Sequence, residues 1–320
     1  MGRRVFVFSP DNPRPSGGVK KLYDHVDILN AEGIESCIVH ENDGFKPLWF
    51  NSSTPVTSPA ACKITKDDFL LIPEIYGRDI LNIYPGTKKV IFNQNAFNTL
   101  RFFGSNPSLA HEVYMHPDVV GVLVVSEHDR MYMTGLFPEV NIHRIHYGID
   151  NTLFAFNTGK KNCIAYSPRK LSEEAEHLIQ LLEMRGRING FEIKKLENLS
   201  RNEFAGALKE SLIFISLSNN EGFGLPPAEA MACGCIVIGF HGNAGKEFFK
   251  PDHSFPIESR DILAFAQTVE LVVSGCDVEP EKYLRMGKRA SEFIFDTYSM
   301  ERERRDVIGF WEGLGLKFKV

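Results

Sequence analysis

The feature that most constrains this chain is an alternation. Short, continuous apolar runs recur along it, separated by longer amphipathic stretches. In the first half the runs are residues 5–8, 37–39, 69–72, 90–92 and 119–125. In the second half they are 163–166, 191–196, 212–217 and 235–240. These runs are for the most part continuous rather than apolar at every second position. That pattern belongs to strands covered on both faces, as in parallel sheets. A short buried helix gives a similar run, but the flanking Gly, Pro and Asn residues favour strands.

Helical spacing fills the gaps. Val19, Leu22, Tyr23, Val26 and Leu29 form one stripe, with Gly33 where a helix would end. Ala175, Leu178, Ile179 and Leu182 form another, and Ser200 to Glu203 reads as a capping box. Further helices are expected over 261–274, 281–295 and 300–314. Strand–helix alternation of this kind predicts an α/β protein with parallel sheets. Two sets of units in 320 residues predict two Rossmann-like domains. The boundary is expected near His146 to Asp150, because 151–162 is polar and strand-poor. The segment 41–66, with Pro47, Pro55 and Pro59, reads as a surface loop or an edge element.

Composition removes several classes of function. With 43% apolar and 24% charged residues the chain is an ordinary globular one. A net charge of −5 argues against a dedicated nucleic-acid binder. The six cysteines contain no C-x-x-C pair, and Cys233 and Cys235 read as buried thiols. No apolar stretch approaches the roughly 20 residues of a membrane span. No leader is evident, so the expected compartment is the cytoplasm. No D-x-D element is present. His143 and His146, on a probable strand, are expected to face opposite sides, which argues against a metal site.

The chemistry concentrates between Glu221 and Cys235. This segment follows the run 212–217, so it lies at the carboxyl end of a parallel strand, where open α/β sheets bind ligands. Gly222 and Gly224 allow a sharp turn and close approach of backbone to a ligand. Pro226 and Pro227 suit the first turn of a helix, and Glu229 is expected in that same turn. A helix start of this kind offers N–H groups and a positive dipole end to an anion. Carboxylates at 221 and 229 can accept hydrogen bonds from a polyhydroxylated ligand. They can also be a helix-capping glutamate and a solvated loop glutamate, and spacing alone does not choose.

The segment resembles the E-x7-E signature of retaining GT-B glycosyltransferases, family 4 type (glycosyl transferases group 1). Glu221 and Glu229 are its two acids, and the likeness runs on through Val237 and Ile238 to Gly242–Glu247. The resemblance implies two Rossmann-like domains facing across a cleft, with a C-terminal helix crossing back to the first. The corresponding divisions are an acceptor domain over 1–150, a donor domain over 151–298 and the helix over 299–320. Glu229 would hold the ribose hydroxyls, Glu221 would lie beside the donor sugar, and the backbone of Gly222, Phe223, Gly224 and Leu225 would meet sugar or phosphate. Arg169 and Lys170 would neutralise the diphosphate. They are adjacent here, where the family commonly separates its two cations, which makes Arg169 the safer assignment. Gly17 and Gly18 would form the glycine loop of the first domain.

The activity implied is metal-independent hexosyl or deoxyhexosyl transfer, with retention, from a nucleoside-diphosphate sugar to a glycan or lipid-linked acceptor. No cofactor besides that donor is expected. Polysaccharide biosynthesis and a peripheral position at the inner membrane face follow as family-level expectations; 300–314 is the stretch with a membrane-helix reading. Asn93 and Asn95, after the run 90–92, are candidates for binding acceptor hydroxyls. Ser126 and Glu127 resemble an element closing the first domain and also read as a helix cap. Residues 196–199 are expected beside the base. The competing readings are a non-catalytic nucleotide-sugar-binding protein and a sugar-nucleotide epimerase of the same fold.

Overall fold

The structure is a computed structural model that describes residues 3–104, 106–168 and 170–318. The chain divides into two compact units, one of residues 1–147 with 301–320 and one of residues 148–300.

The first unit runs β1 (Val5–Phe8), α1 (Gly17–Ala31), β2 (Ser36–Val39), β3 (Val56–Thr57), β4 (Phe69–Pro73), β5 (Lys88–Asn93), α2 (Asn98–Arg101), α3 (Pro107–Tyr114), β6 (Val119–Val124), α4 (Glu127–Leu136) and β7 (Ile142–Arg144). A 3-10 segment, Glu74–Asn82, follows β4. The seven strands are ordered β3-β2-β1-β4-β5-β6-β7 and every pairing is parallel. The direction of winding therefore reverses between β1 and β4. The 41–66 segment proves to carry the edge strand β3, too short to show a pattern of its own.

The second unit runs β8 (Lys161–Tyr166), α5 (Ser172–Arg185), β9 (Glu192–Lys195), α6 (Arg201–Glu210), β10 (Ser211–Glu221), α7 (Leu225–Ala232), β11 (Ile236–Asn243), β12 (Ser254–Pro256), α8 (Ile262–Val278) and α9 (Pro280–Thr297). Its sheet is parallel in the order β12-β11-β10-β8-β9. Counted within the unit this is the 2-1-3-4-5 arrangement, with its reversal between β8 and β10. Ile164, Ile213, Ile215, Ile236 and Ile238 in the central strands are fully buried. β9, expected as a doubly covered strand, is instead an edge strand with mostly exposed side chains. The capping box forms as read, with Ser200 and Glu203 each binding the other's backbone N–H.

The last helix, α10 (Met300–Gly313), belongs from residue 301 to the first unit. Trp311 is fully buried there and donates its Nε1–H to Nε2 of His25 at 2.8 Å. Burial without a charged partner drives His25 down to about 3, so the ring is neutral and can accept. Lys21 and Glu303 form a buried pair at 2.7 Å. Val307 and Phe310 are also buried, which corrects the membrane-surface reading of 300–314: the apolar side of the helix is taken up by protein. His143 and His146 are corrected as well. The strand ends at Arg144, alternation stops with it, and both rings reach Asp306 of α10, at 3.2 Å and 2.7 Å. Among the described residues no helix is long and apolar enough to cross a membrane.

Candidate active site

The reversal of strand order in the second unit creates the site. At such a switch point the loops after the two flanking strands diverge and leave a crevice at their carboxyl ends. Here those strands are β8 and β10. The loop after β8 carries Lys170, and the end of β10 is Glu221. The Lys170 ammonium meets the Glu221 carboxylate at 2.8 Å and lies 3.5 Å from the carbonyl of Asn220. Both side chains stay partly open to solvent, 32% and 19% exposed. A polar ligand can therefore reach the pair. Arg169 lies outside the described residues.

The backbone beyond Glu221 turns sharply. Asn220 has φ 48, and Gly224, the N-cap of α7, has φ 96. Asn and Gly are the residues that tolerate such angles. Phe223 is 3% exposed, with its ring packed on Phe248 and Tyr298 at centroid distances of 5.3 and 5.0 Å. Anchoring the ring inward fixes the main chain of the loop, the part expected to meet sugar and phosphate. The end of β11 packs against the same acid. Gly242 has φ 60, and a Cβ there would lie 3.0 Å from Cγ of Glu221. His241 is held below its ordinary value by burial and by Lys246, and its Nδ1 accepts the N–H of Asn243 at 3.0 Å.

Glu229 departs from expectation in one respect. α7 begins at Leu225, and its first turn holds no acidic residue. The capping explanation for Glu229 therefore fails. The carboxylate is 6% exposed and faces Arg201, the first residue of α6, at 3.6 Å. The Arg201 guanidinium also covers the Phe154 ring at 5.1 Å. Arg201 was not singled out in the sequence. The capping box marks where α6 starts, but not which way its first residue points. The site thus contains two carboxylates, each beside a cation, at the carboxyl end of one strand and on the helix after it. The buried thiols of Cys233 and Cys235 are pushed up by desolvation, as suits inert core residues.

In the first unit Ser16 caps α1 by accepting the Val19 N–H, which sets Gly17 and Gly18 at the helix start beyond β1. Asn95 accepts the Phe97 N–H at 3.1 Å. Ser126 caps α4, the plainer of its two readings. Asn93 is a correction. It is fully buried and points into the core, where its Nδ2 donates to Thr99 at 2.7 Å and Tyr114 at 2.9 Å. It ends a strand whose last five residues are all buried, and its amide is turned to Thr99 and Tyr114 rather than to acceptor hydroxyls.

Comparison with known proteins finds one family, a curated relative and solved structures of similar fold. Residues 173–293 match the family described as Glycosyl transferases group 1. An alpha-1,6-glucosyltransferase of Actinobacillus pleuropneumoniae serotype 7 (strain AP76) is 27% identical over 242 residues, covering 71% of this chain and 69% of that protein. Anabaena HepE in complex with UDP superimposes with a TM-score of 0.70 at 14% identity, over 97% of this chain and 100% of that one. TarM of S. aureus, in complex with Fondaparinux, alpha-GlcNAc-glycerol and UDP, gives 0.60 at 16% identity, over 79% of this chain and 56% of that one. This chain therefore spans little more than half the length of TarM. On these matches the chain is a glycosyltransferase with the GT-B type of fold.

Proposed function

We propose that this glycosyltransferase transfers a hexosyl or deoxyhexosyl group, with retention and without a metal ion, from a nucleoside-diphosphate sugar to a hydroxyl of a glycan or lipid-linked acceptor. The observation that carries the reading is the Lys170–Glu221 pair at the switch point, with Glu229 on the helix that follows. The second unit takes the donor and the first unit takes the acceptor. Uridine is the favoured base, supported by the UDP held by the structurally similar HepE. Glucose is the favoured sugar, supported by the name of the Actinobacillus relative. Retention has the same support: UDP-glucose is alpha-configured, and an alpha product keeps that configuration.

In this reading Glu229 accepts both ribose hydroxyls. Lys170 and Arg169 neutralise the diphosphate, together with backbone N–H groups near Gly222 and Gly224. Charge grows on the diphosphate as the glycosidic bond breaks, and Lys170, already held beside Glu221, stabilises it without reorganisation. Those cations supply the compensation that a metal supplies elsewhere. Glu221 faces the positive charge that develops on the sugar. The departing phosphate oxygen takes the proton of the acceptor hydroxyl, so one carbon–oxygen bond breaks, one forms, and no side-chain base is required.

The test is thermal shift and donor hydrolysis with a panel of nucleotide sugars in EDTA, on wild type, Glu229→Ala and Lys170→Ala. Stabilisation by UDP and slow UDP release from UDP-glucose, both weakened in the variants, is the expected result. Binding that is equal in all three proteins would remove the donor site from this crevice. Binding without any turnover would favour a nucleotide-sugar-binding protein instead.

A further inference from the structure

The first unit has its own switch point, between β1 and β4, and its loops carry an acid that no other part of the reading uses. Glu74 follows β4 directly. It is 2% exposed, and both carboxylate oxygens are engaged. Oε2 accepts the backbone N–H of Gln94 at 3.0 Å, and Oε1 accepts from Nδ2 of Asn98 at 3.1 Å. Gln94 lies in the turn after β5, and Asn98 is the first residue of α2. The Gln94 side chain reaches the first turn of α1, where its Nε2 donates to the carbonyl of Gly18 at 3.0 Å. The fit is close: a Cβ on Gly18 would lie 2.4 Å from Oε1 of Gln94. The Glu74 turn is pinned in its own right. Gly77 has φ 50, and a Cβ there would lie 2.6 Å from the carbonyl of Phe102.

The start of α1, the segment after β4 and the segment after β5 are thus joined through one carboxylate. We propose that Glu74 is a positioning residue for the acceptor: by holding the 94–98 turn it keeps Gln94 on Gly18, and so maintains the crevice that receives the sugar hydroxyls of the acceptor. The proposal rests on the assignment of the acceptor to the first unit. Glu74 touches no substrate and acts through Gln94 and Gly18. Its protonation state matters, because the ionised carboxylate accepts two N–H groups, whereas a protonated one turns an O–H toward a donor. The titratable groups around it are Asp129 of α4, Tyr114 of α3 and Tyr147 after β7. Among the described residues no cation pairs with it, and burial pushes its carboxyl up to about 7.

The experiment compares wild type, Glu74→Gln and Glu74→Asp between pH 6 and 8.5. UDP-glucose is the donor and octyl β-D-glucopyranoside the acceptor probe. Acceptor KM and kcat, donor hydrolysis without acceptor, and hydrogen exchange of peptides spanning 15–22 and 92–99 are read, the last corrected for intrinsic rates. At pH 8, Glu74→Gln is expected to raise acceptor KM about tenfold, the scale of one lost hydrogen bond to a charged group, with a much smaller change in kcat. Exchange in both peptides should rise in wild type as pH falls through 7, be fast in Glu74→Gln at every pH, and recover in part in Glu74→Asp. Unchanged exchange at 15–22 in Glu74→Gln overturns the proposal, as does an equal fall in donor hydrolysis and acceptor use. If wild type neither binds UDP nor hydrolyses UDP-glucose, glycosyl transfer fails as the function. The exchange data still decide whether Glu74 controls the Gly18 loop.

Discussion

Replacing Glu229 by Gln tests the proposed donor site most directly. The side chain is almost fully covered, at 6% exposure, and its partner Arg201 lies 3.6 Å away. Hydroxyls of a ribose would add two O–H donors to this carboxylate. A hydrogen bond to a charged group is worth about 1.5–3 kcal/mol. The amide keeps the shape and one acceptor oxygen but loses the charge, so one such bond is the expected loss. UDP should bind about 10- to 150-fold more weakly. Arg201→Ala leaves the carboxylate in place without its cation and should weaken UDP less. Because the two side chains are in contact, the double variant should depart from additivity by about 0.5–3 kcal/mol. Isothermal titration calorimetry with UDP in EDTA gives the affinities, and melting without ligand separates binding from stability. A Kd for Glu229→Gln within twofold of wild type would refute the reasoning, because a buried carboxylate on the ribose cannot be exchanged so cheaply.

Further outcomes follow from the same geometry. Trp311→Ala should destabilise the first unit by about 3–5 kcal/mol, since it empties a buried site and strips His25 of its donor; calorimetric melting with an unchanged midpoint would contradict this. Gly224→Val should weaken UDP binding while leaving circular dichroism native, because φ 96 strains a branched residue by about 1–2 kcal/mol at the turn itself. Transfer should survive EDTA and gain nothing from added Mg²⁺ or Mn²⁺, and a metal requirement in the rate assay would exclude leaving-group stabilisation by side chains alone. Glu74 should leave a mark on stability. Burial raises its carboxyl from 4.5 to about 7 against the bonds from Gln94 and Asn98, which lower it, so the folded state holds the proton more tightly than the unfolded chain while those two bonds still favour the ionised form. Stability from this group is present below 4.5 and lost as pH rises through 7, a span of roughly 3 kcal/mol. Urea titrations of Glu74→Gln should show that slope removed.

What the sequence conveys about the fold depends on where each strand lies. The central strands β1, β4, β5, β6, β8, β10 and β11 are covered on both faces and announce themselves as unbroken apolar runs. Edge strands lack that cover. β3 is two residues long, and β12 is three residues ending in a proline. β9 reads Glu-Ile-Lys-Lys, and its apolar flank suggested a burial it does not have. The helices were more legible, because caps and stripes are local. Ser200 and Glu203 meet within one turn. The crossing of α10 into the first unit rests on long-range contacts such as Lys21–Glu303, and no local pattern encodes it.

The candidate site divides along the same line. Glu221, the glycine turn and Glu229 lie in one stretch of sequence, so strand, loop and helix could be read together. Lys170 comes from another loop, and it reaches Glu221 because the strand order reverses between β8 and β10. Arg201 arrives at Glu229 from the start of a third element, α6, by a packing direction that one sequence does not reveal. Asn93 misled because a polar residue at a strand end suggests solvent, whereas its amide completes a buried cluster with Thr99 and Tyr114. Glu74 stayed unnoticed for the converse reason. An acid just after an apolar run reads as a solvated turn, yet two donors, Gln94 after β5 and Asn98 at the start of α2, make its burial tolerable. A buried polar group is defined by partners that are distant in sequence. Glu74 and Asn93 of the first unit are groups of this kind, whereas Glu221, the glycine turn and Glu229 of the second share one continuous segment that Lys170 and Arg201 reach from elsewhere.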